Sequence, residues 1–152
     1  MDTSFVKLNF EWNADPNVPE PSVRVEGWDV LVKFYVNPYL FSEFSEQEIG
    51  ILRFANCQKF RLGSPNDHGW YLGQCRFSKL APEWGEFYAV AGNPELLDAP
   101  ADWQNLQSDS HSGNHFLFYF RDETFECVAE RCSIEPVADN ALYRKGKVLP
   151  NF

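Results

Sequence analysis

The sequence predicts an all-β protein, an antiparallel β-sandwich or flattened barrel built as a single domain over residues 1–152. Three observations lead there. Apolar and polar residues alternate with the two-residue period of strands along much of the chain. Gly- and Pro-bearing turn signals interrupt that alternation often, and no stretch holds a helical pattern for about 10–12 residues, so crossover helices for a parallel sheet are missing. Fourteen Phe and five Trp among 152 residues supply the large apolar area that such a core needs. A chain of this length buries roughly 68–70% of its unfolded surface, so neither metal nor disulfide is required to stabilise it.

In the N-terminal part, Val6, Leu8, Phe10 and Trp12 alternate with Lys7, Asn9 and Glu11, which predicts a strand with one apolar face. Pro16, Pro19 and Pro21 mark a surface connector without ladder donors at those positions. Val23–Glu26 and Asp29–Val36 follow as extended pieces, the second with Val30, Val32, Phe34 and Val36 on one side, and Gly27 between them signals a tight bend. Pro38 ends this run. Ser45 and Glu48 have capping-box spacing, but Gly50 limits any helix there to a single turn.

From Ile51 to Leu62, apolar Leu52, Phe54, Phe60 and Leu62 alternate with Arg53, Lys59 and Arg61, a long strand with a basic face. Residues 63–69 form a dense turn signal, and Trp70–Phe77 and Gly85–Ala91 read as further strands. Residues 94–113 read as a loop with one short helical turn around Ala101–Leu106, capped by Asp102, and a polar tail from Ser108 to Gly113. The clearest supersecondary signal is a β-hairpin from His115–Arg121 through Asp122-Glu123 to Thr124–Glu130. Phe116, Phe118 and Phe120 share one of its faces, with Phe125 and Cys127 across from them. Residues 137–152 are basic and weakly patterned and are expected to form a poorly ordered tail. The total is seven or eight strands.

Charge narrows the function classes. Thirteen Lys+Arg against 22 Asp+Glu give −9 and a pI near 4.7, the wrong sign for attraction to nucleic-acid phosphates or an anionic membrane. No run approaches the ~20 apolar residues of a membrane span, and the N-terminus lacks the basic start and apolar run of a secretory signal. A cytoplasmic location is the expectation. Cys57, Cys75, Cys127 and Cys132 have no zinc-ligand spacing and read as reduced, partly buried thiols. One local exception to the acidic balance runs from Ile51 to Leu80, where Arg53, Lys59, Arg61, Arg76 and Lys79 face only Asp67, a net +4. The plainer reading of that segment is that its cations pair with the acidic remainder.

Four segments are distinctive: Gly50-Ile51-Leu52-Arg53-Phe54; Arg61 to Tyr71; Trp84-Gly85-Glu86-Phe87-Tyr88; and His115 to Cys127. Over about Gly50 to Cys127 the chain resembles a family of uncharacterised bacterial proteins. That resemblance implies no particular activity and assigns no catalytic residue.

Two constellations carry candidate chemistry. Asp67 and His68, with Trp70 and Tyr71 behind them, combine an imidazole, a carboxylate and apolar walls, the parts of a general base; a turn in which Asn66 or Asp67 bonds its own backbone is the simpler account. His115, Asp122, Glu123 and Glu126 on the hairpin, with Glu86 on a neighbouring strand, form the second. Glu126, between Phe125 and Cys127, should meet Arg121 or a base from the Arg53–Arg61 strand as a cross-strand pair. His68, His111 and His115 do not make a metal site, because the spacing of the last two places ligands on one face only in a helix. Phosphate cradles, nucleophile elbows and dinucleotide fingerprints are absent, and no cofactor is expected.

The expected function is a binding module for a protein partner or small anionic ligand. Its face is formed by Arg53, Arg61, Asp67, His68, Trp70 and Trp84, with Glu86, His115 and Glu126 as further site residues. One alternative is a small hydrolase or lyase with His68 or His115 as base and Glu86 or Glu126 as acid. The other is a homo-oligomer that buries aromatic surface, rings such as Trp28 and Trp103, against its own copy.

Overall fold

The Phe-rich hairpin forms where the alternation places it, and the rest of the sheet is built outward from it. The computed structural model describes residues 3–63, 85–92, 97, 100–107, 113–120 and 123–150. Eight strands lie among them: β1 (Ser4–Lys7), β2 (Ser22–Glu26), β3 (Asp29–Tyr35), β4 (Ile49–Gly63), β5 (Phe87–Ala91), β6 (Gln104–Asn105), β7 (Asn114–Tyr119) and β8 (Thr124–Ile134). A short helix, α1 (Ala141–Arg144), follows. All the strand pairs are antiparallel, in the order β1-β5-β7-β8-β4-β3-β2, with β6 added on β4. The fold is therefore all-β, as predicted.

The single sheet curls until its two halves face each other. Phe34 on β3 and Phe118 on β7 are three strands apart, about 14 Å in a flat sheet. Their ring centroids nevertheless lie 5.1 Å apart. Phe54 on β4 and Phe87 on β5, also three strands apart, meet at 5.9 Å. The core is what fills this fold-over: Phe34, Phe54, Phe87, Phe116, Phe118, Phe120 and Phe125, all nearly inaccessible to solvent. A flattened, laterally open barrel describes it. The bend has a local cause on β4 and β8. Inward residues step from Phe54 to Cys57 and, across the pair, from Cys132 to Ala129, a stride of three on both strands where the pleat allows two. Asn56 sits at that break with φ 49°, and the register shifts just beyond it, between Cys57 and Lys59.

Hairpin register agrees with the sequence pattern: Phe118 pairs with Phe125 and Phe116 with Cys127. At the β2–β3 turn, Glu26 pairs with Asp29, leaving Gly27 and Trp28 as a two-residue loop; Gly27 takes φ 63°, which a hairpin of this length demands and glycine adopts without strain. Glu48 accepts the Ser45 N–H at 2.8 Å, half of the expected capping box, in a turn rather than a helix.

Three expectations need correction. The alternation from Val6 to Trp12 does not make one long strand. Leu8 and Trp12 are buried, whereas Val6 and Phe10 are exposed. Asn9 goes inward instead, accepting the Phe87 N–H at 2.9 Å and donating to the Trp12 carbonyl at 2.9 Å, and Glu11 adopts φ 63°. The segment then straddles the opening of the curled sheet. Leu8 donates to the Phe87 carbonyl on β5, Ala14 bridges Val36 just beyond β3, and Trp12 packs on both the Phe34 and Phe118 rings. Second, the helical turn expected at 101–106 is extended: Gln104 and Asn105 pair with Phe60 and Lys59. Third, residues 137–150, read from the sequence as weakly patterned, carry α1. Asn140, fully buried, donates to the Ile51 and Glu135 carbonyls and accepts from the Ile51 and Leu142 N–H groups, pinning α1 to β4. The strand expected at Trp70–Phe77 lies outside the described residues.

Candidate functional site

The outer face of β7, β8 and β4 gathers a chain of charges around one buried carboxylate. Glu126 on β8 sits opposite Arg61 on β4 and Leu117 on β7, two residues along from His115. Strand alternation alone therefore points Arg61, Glu126 and His115 outward from the aromatic core. Glu126 has no accessible surface. Its Oε2 accepts from Arg61 Nη1 at 2.6 Å and its Oε1 lies 2.7 Å from His115 Nε2. A carboxylate removed from water needs this compensation, a cation and hydrogen bonds on both oxygens.

Arg61 is held from the other side by Asp102, Nε to Oδ1 at 2.7 Å and Nη2 to Oδ2 at 3.1 Å, the bidentate geometry a planar guanidinium favours. Burial works against its charge, but Asp102 and Glu126 more than offset that and hold Arg61 above its ordinary pKa. The Arg61 hydrogen bond in turn keeps Asp102 below the usual carboxylate range. Next to Asp102, the Trp103 indole stands edge-on to His115, with centroids 5.9 Å apart and planes at 85°. Lys59 Nζ lies 4.7 Å from the centre of the Trp103 ring, and burial pulls that ammonium below its ordinary pKa.

Two details decide what this arrangement can do. Because a carboxylate only accepts, Nε2 of His115 carries the hydrogen it shares with Glu126, which leaves Nδ1 to meet something else. Nδ1 has no hydrogen-bond partner among the described residues. The Trp103 Nε1–H is buried and likewise has no acceptor among them. An unpaired buried donor costs about 1–3 kcal/mol, so it is a position where an incoming acceptor gains.

Of the nine residues singled out from sequence, three meet here: Arg61, His115 and Glu126. Arg53 and Glu86 lie elsewhere. Arg53, eight positions earlier on β4, joins a separate network with Glu135, Asp29 and Glu26, at 2.6, 2.7 and 3.1 Å. The described residues give the two arginines no common partner. Glu86 is a structural clamp: it accepts from Asn9 and from Asn13 (3.2 Å), with Lys7 at 3.6 Å, and so ties down the segment that straddles the sheet opening. Asp67, His68, Trp70 and Trp84 fall outside the described residues. The site members missed from sequence are Trp103, Lys59 as its cation partner, and Asp102, placed by β6, whose two residues carry too little pattern to announce a strand.

Among the described residues no group of His, Cys, Asp and Glu is arranged to hold a metal ion, and no helix is long and apolar enough to cross a membrane. Comparison with models of known families, with curated proteins and with solved structures finds no match to this chain.

Proposed function

We propose that this chain is a ligand-binding module whose site is the face around Arg61, Trp103 and His115. Its ligand is a small anion with acceptor oxygens, a carboxylate or a phosphate. The observation that carries this reading is the buried Trp103 N–H without an acceptor among the described residues, set beside a guanidinium. Arg61 spends three of its five N–H groups on Asp102 and Glu126, so two remain to face a ligand. The acidic partners set the orientation of that guanidinium in advance and so reduce the ordering cost of binding. A reducing compartment, the cytoplasm, suits the free thiols of Cys57, Cys127 and Cys132.

A second reading, a small hydrolase or lyase, has one specific support: Glu126 orients His115 as a carboxylate orients a general base. In that reading His115 is the base, acting through Nδ1, and Glu126 is its positioning residue rather than the acid.

The test is thermal denaturation with acetate, phosphate or citrate against chloride at equal ionic strength. A bound anion raises Tm by mass action, worth about 2.7 kcal/mol at a hundredfold excess over Kd. The reading requires a saturable rise with at least one of these anions, lost in Trp103→Phe, which keeps a ring and removes the N–H. An equal rise in that variant, or none with any of the three, would overturn it.

A further inference from the structure

The outer face of β2, β3 and β4 carries a cavity of about 400 Å³ that shares no lining residue with the His115 cluster. Its floor is Leu31 and Ile51, which alternate with the core residues on their strands and so point away from the aromatic interior, yet are only 5% and 9% exposed. Val137 extends this apolar floor. One wall is cationic, with Lys33 on β3 and Arg24 on β2; the opposite wall is acidic, with Glu135 and Asp139. The Lys33 ammonium and the Asp139 carboxylate have no hydrogen-bond or ion-pair partner among the described residues, and Glu135 commits only its Oε2, to Arg53.

We propose that this cavity binds a free apolar α-amino acid, its carboxylate toward Lys33 and Arg24, its ammonium toward Asp139 and Glu135, and its side chain on Leu31, Ile51 and Val137. The spacing supports that class. Lys33 pairs with Ile51 on one side, and Glu135 donates its N–H to the Ile51 carbonyl on the other. The backbones that carry the two walls are therefore two strand spacings apart, about 9–10 Å. That sets a cation and a carboxylate on opposite sides of an apolar floor, the arrangement that a small zwitterion complements. A dianion or a dication would set one end against like charge. Cavities from about 300 Å³ upward are of ligand-binding size, and an apolar floor with a few convergent polar groups is their usual lining.

The experiment is a titration with L-leucine followed by amide shifts in ¹H–¹⁵N spectra of the intact chain, with 4-methylpentanoate and 3-methylbutylamine as probes lacking one charge each. The proposal expects saturable shifts at Leu31, Lys33, Ile51 and Val137. Lys33→Gln and Asp139→Asn, both at unpaired surface groups, should each weaken binding about tenfold or more, the worth of one charge-assisted hydrogen bond. Both single-charge probes should bind more weakly by a similar factor. It is overturned by absence of saturation at about 10 mM, well above a millimolar Kd. Equal binding of either single-charge probe, or unchanged binding in both variants, overturns it as well.

Discussion

His115 Nε2 and Glu126 Oε1 lie 2.7 Å apart on adjacent strands, while Glu126 Oε2 is held at 2.6 Å by Arg61 on the strand beyond. One fully buried carboxylate thus ties β7 to β4 through β8 and fixes both the imidazole tautomer and the guanidinium plane. Stability and site geometry rest on the same residue.

That coupling predicts an asymmetry between single and double substitutions. Arg61→Met leaves the Glu126 charge buried with its main cation gone, and should cost about 3–5 kcal/mol. In a chain of this size that lowers Tm by roughly 10 °C. Arg61→Met combined with Glu126→Leu removes both charges and should recover much of the loss, as apolar replacement of buried ion pairs does. Denaturant melts of the singles and the double form the cycle. A double variant as unstable as the sum of its singles would show that the two side chains do not act as a pair.

The corrected path of the N-terminal segment is tested by packing. Trp12 is 1% exposed and seated on Phe34 and Phe118, whereas Phe10, two residues earlier, is 56% exposed. Trp12→Ala should cost about 3–5 kcal/mol and Phe10→Ala about 0.5 or less. Comparable losses by chemical denaturation would restore the simple alternating strand.

Asp29 gives a pH dependence with a definite sign. The Asn56 backbone N–H at 3.0 Å, and then Arg53 at 2.7 Å, hold its carboxyl below the ordinary value of 3.8 against the opposing effect of burial. A depressed folded pKa adds stability above the unfolded value, and that stability is lost as pH falls through the folded one. The gap between wild type and Asp29→Asn should therefore be constant from neutral pH down to about 5 and shrink progressively below pH 4. Urea midpoints across that range decide it; a gap that widens on acidification would reverse the assignment.

At the C-terminal end, Asn140 makes four buried hydrogen bonds to backbone groups of Ile51, Glu135 and Leu142. Asn140→Ala strands those groups, about 1–3 kcal/mol for each one left unpaired. Amide exchange at Leu142 should accelerate well beyond the exchange in β7. Equal protection in the variant would mean that packing of Ala141 and Leu142 alone anchors the helix.

How much of this was legible beforehand follows from the range of the interactions. The Glu126–Arg61 pair was within reach because each residue alternates with core Phe or Leu on its own strand, and only the order of neighbouring strands had to be supplied. The Phe118–Phe125 register was equally local, a hairpin's own arithmetic. Asn9 with Glu86 was not, because the partners are 77 residues apart and nothing in the pattern Val6-Lys7-Leu8-Asn9-Phe10 distinguishes an amide that turns inward. Arg53 looked like a member of a basic binding face, yet its three carboxylates come from β2, the start of β3 and the residue after β8. The order of the four neighbouring strands β2-β3-β4-β8 brings them to one point. Trp103 and Asp102 were hidden for a third reason: their position depends on a two-residue strand too short to show a period.

The most direct measurement of the binding account is the Trp103 indole ¹H–¹⁵N resonance, identified as the one missing in Trp103→Phe, followed through a phosphate or citrate titration. If an anion accepts this hydrogen bond, the resonance moves downfield and saturates together with the Arg61 side-chain signals. A Trp103 signal that stays in place while the anion raises Tm would put the ligand elsewhere and contradict the account.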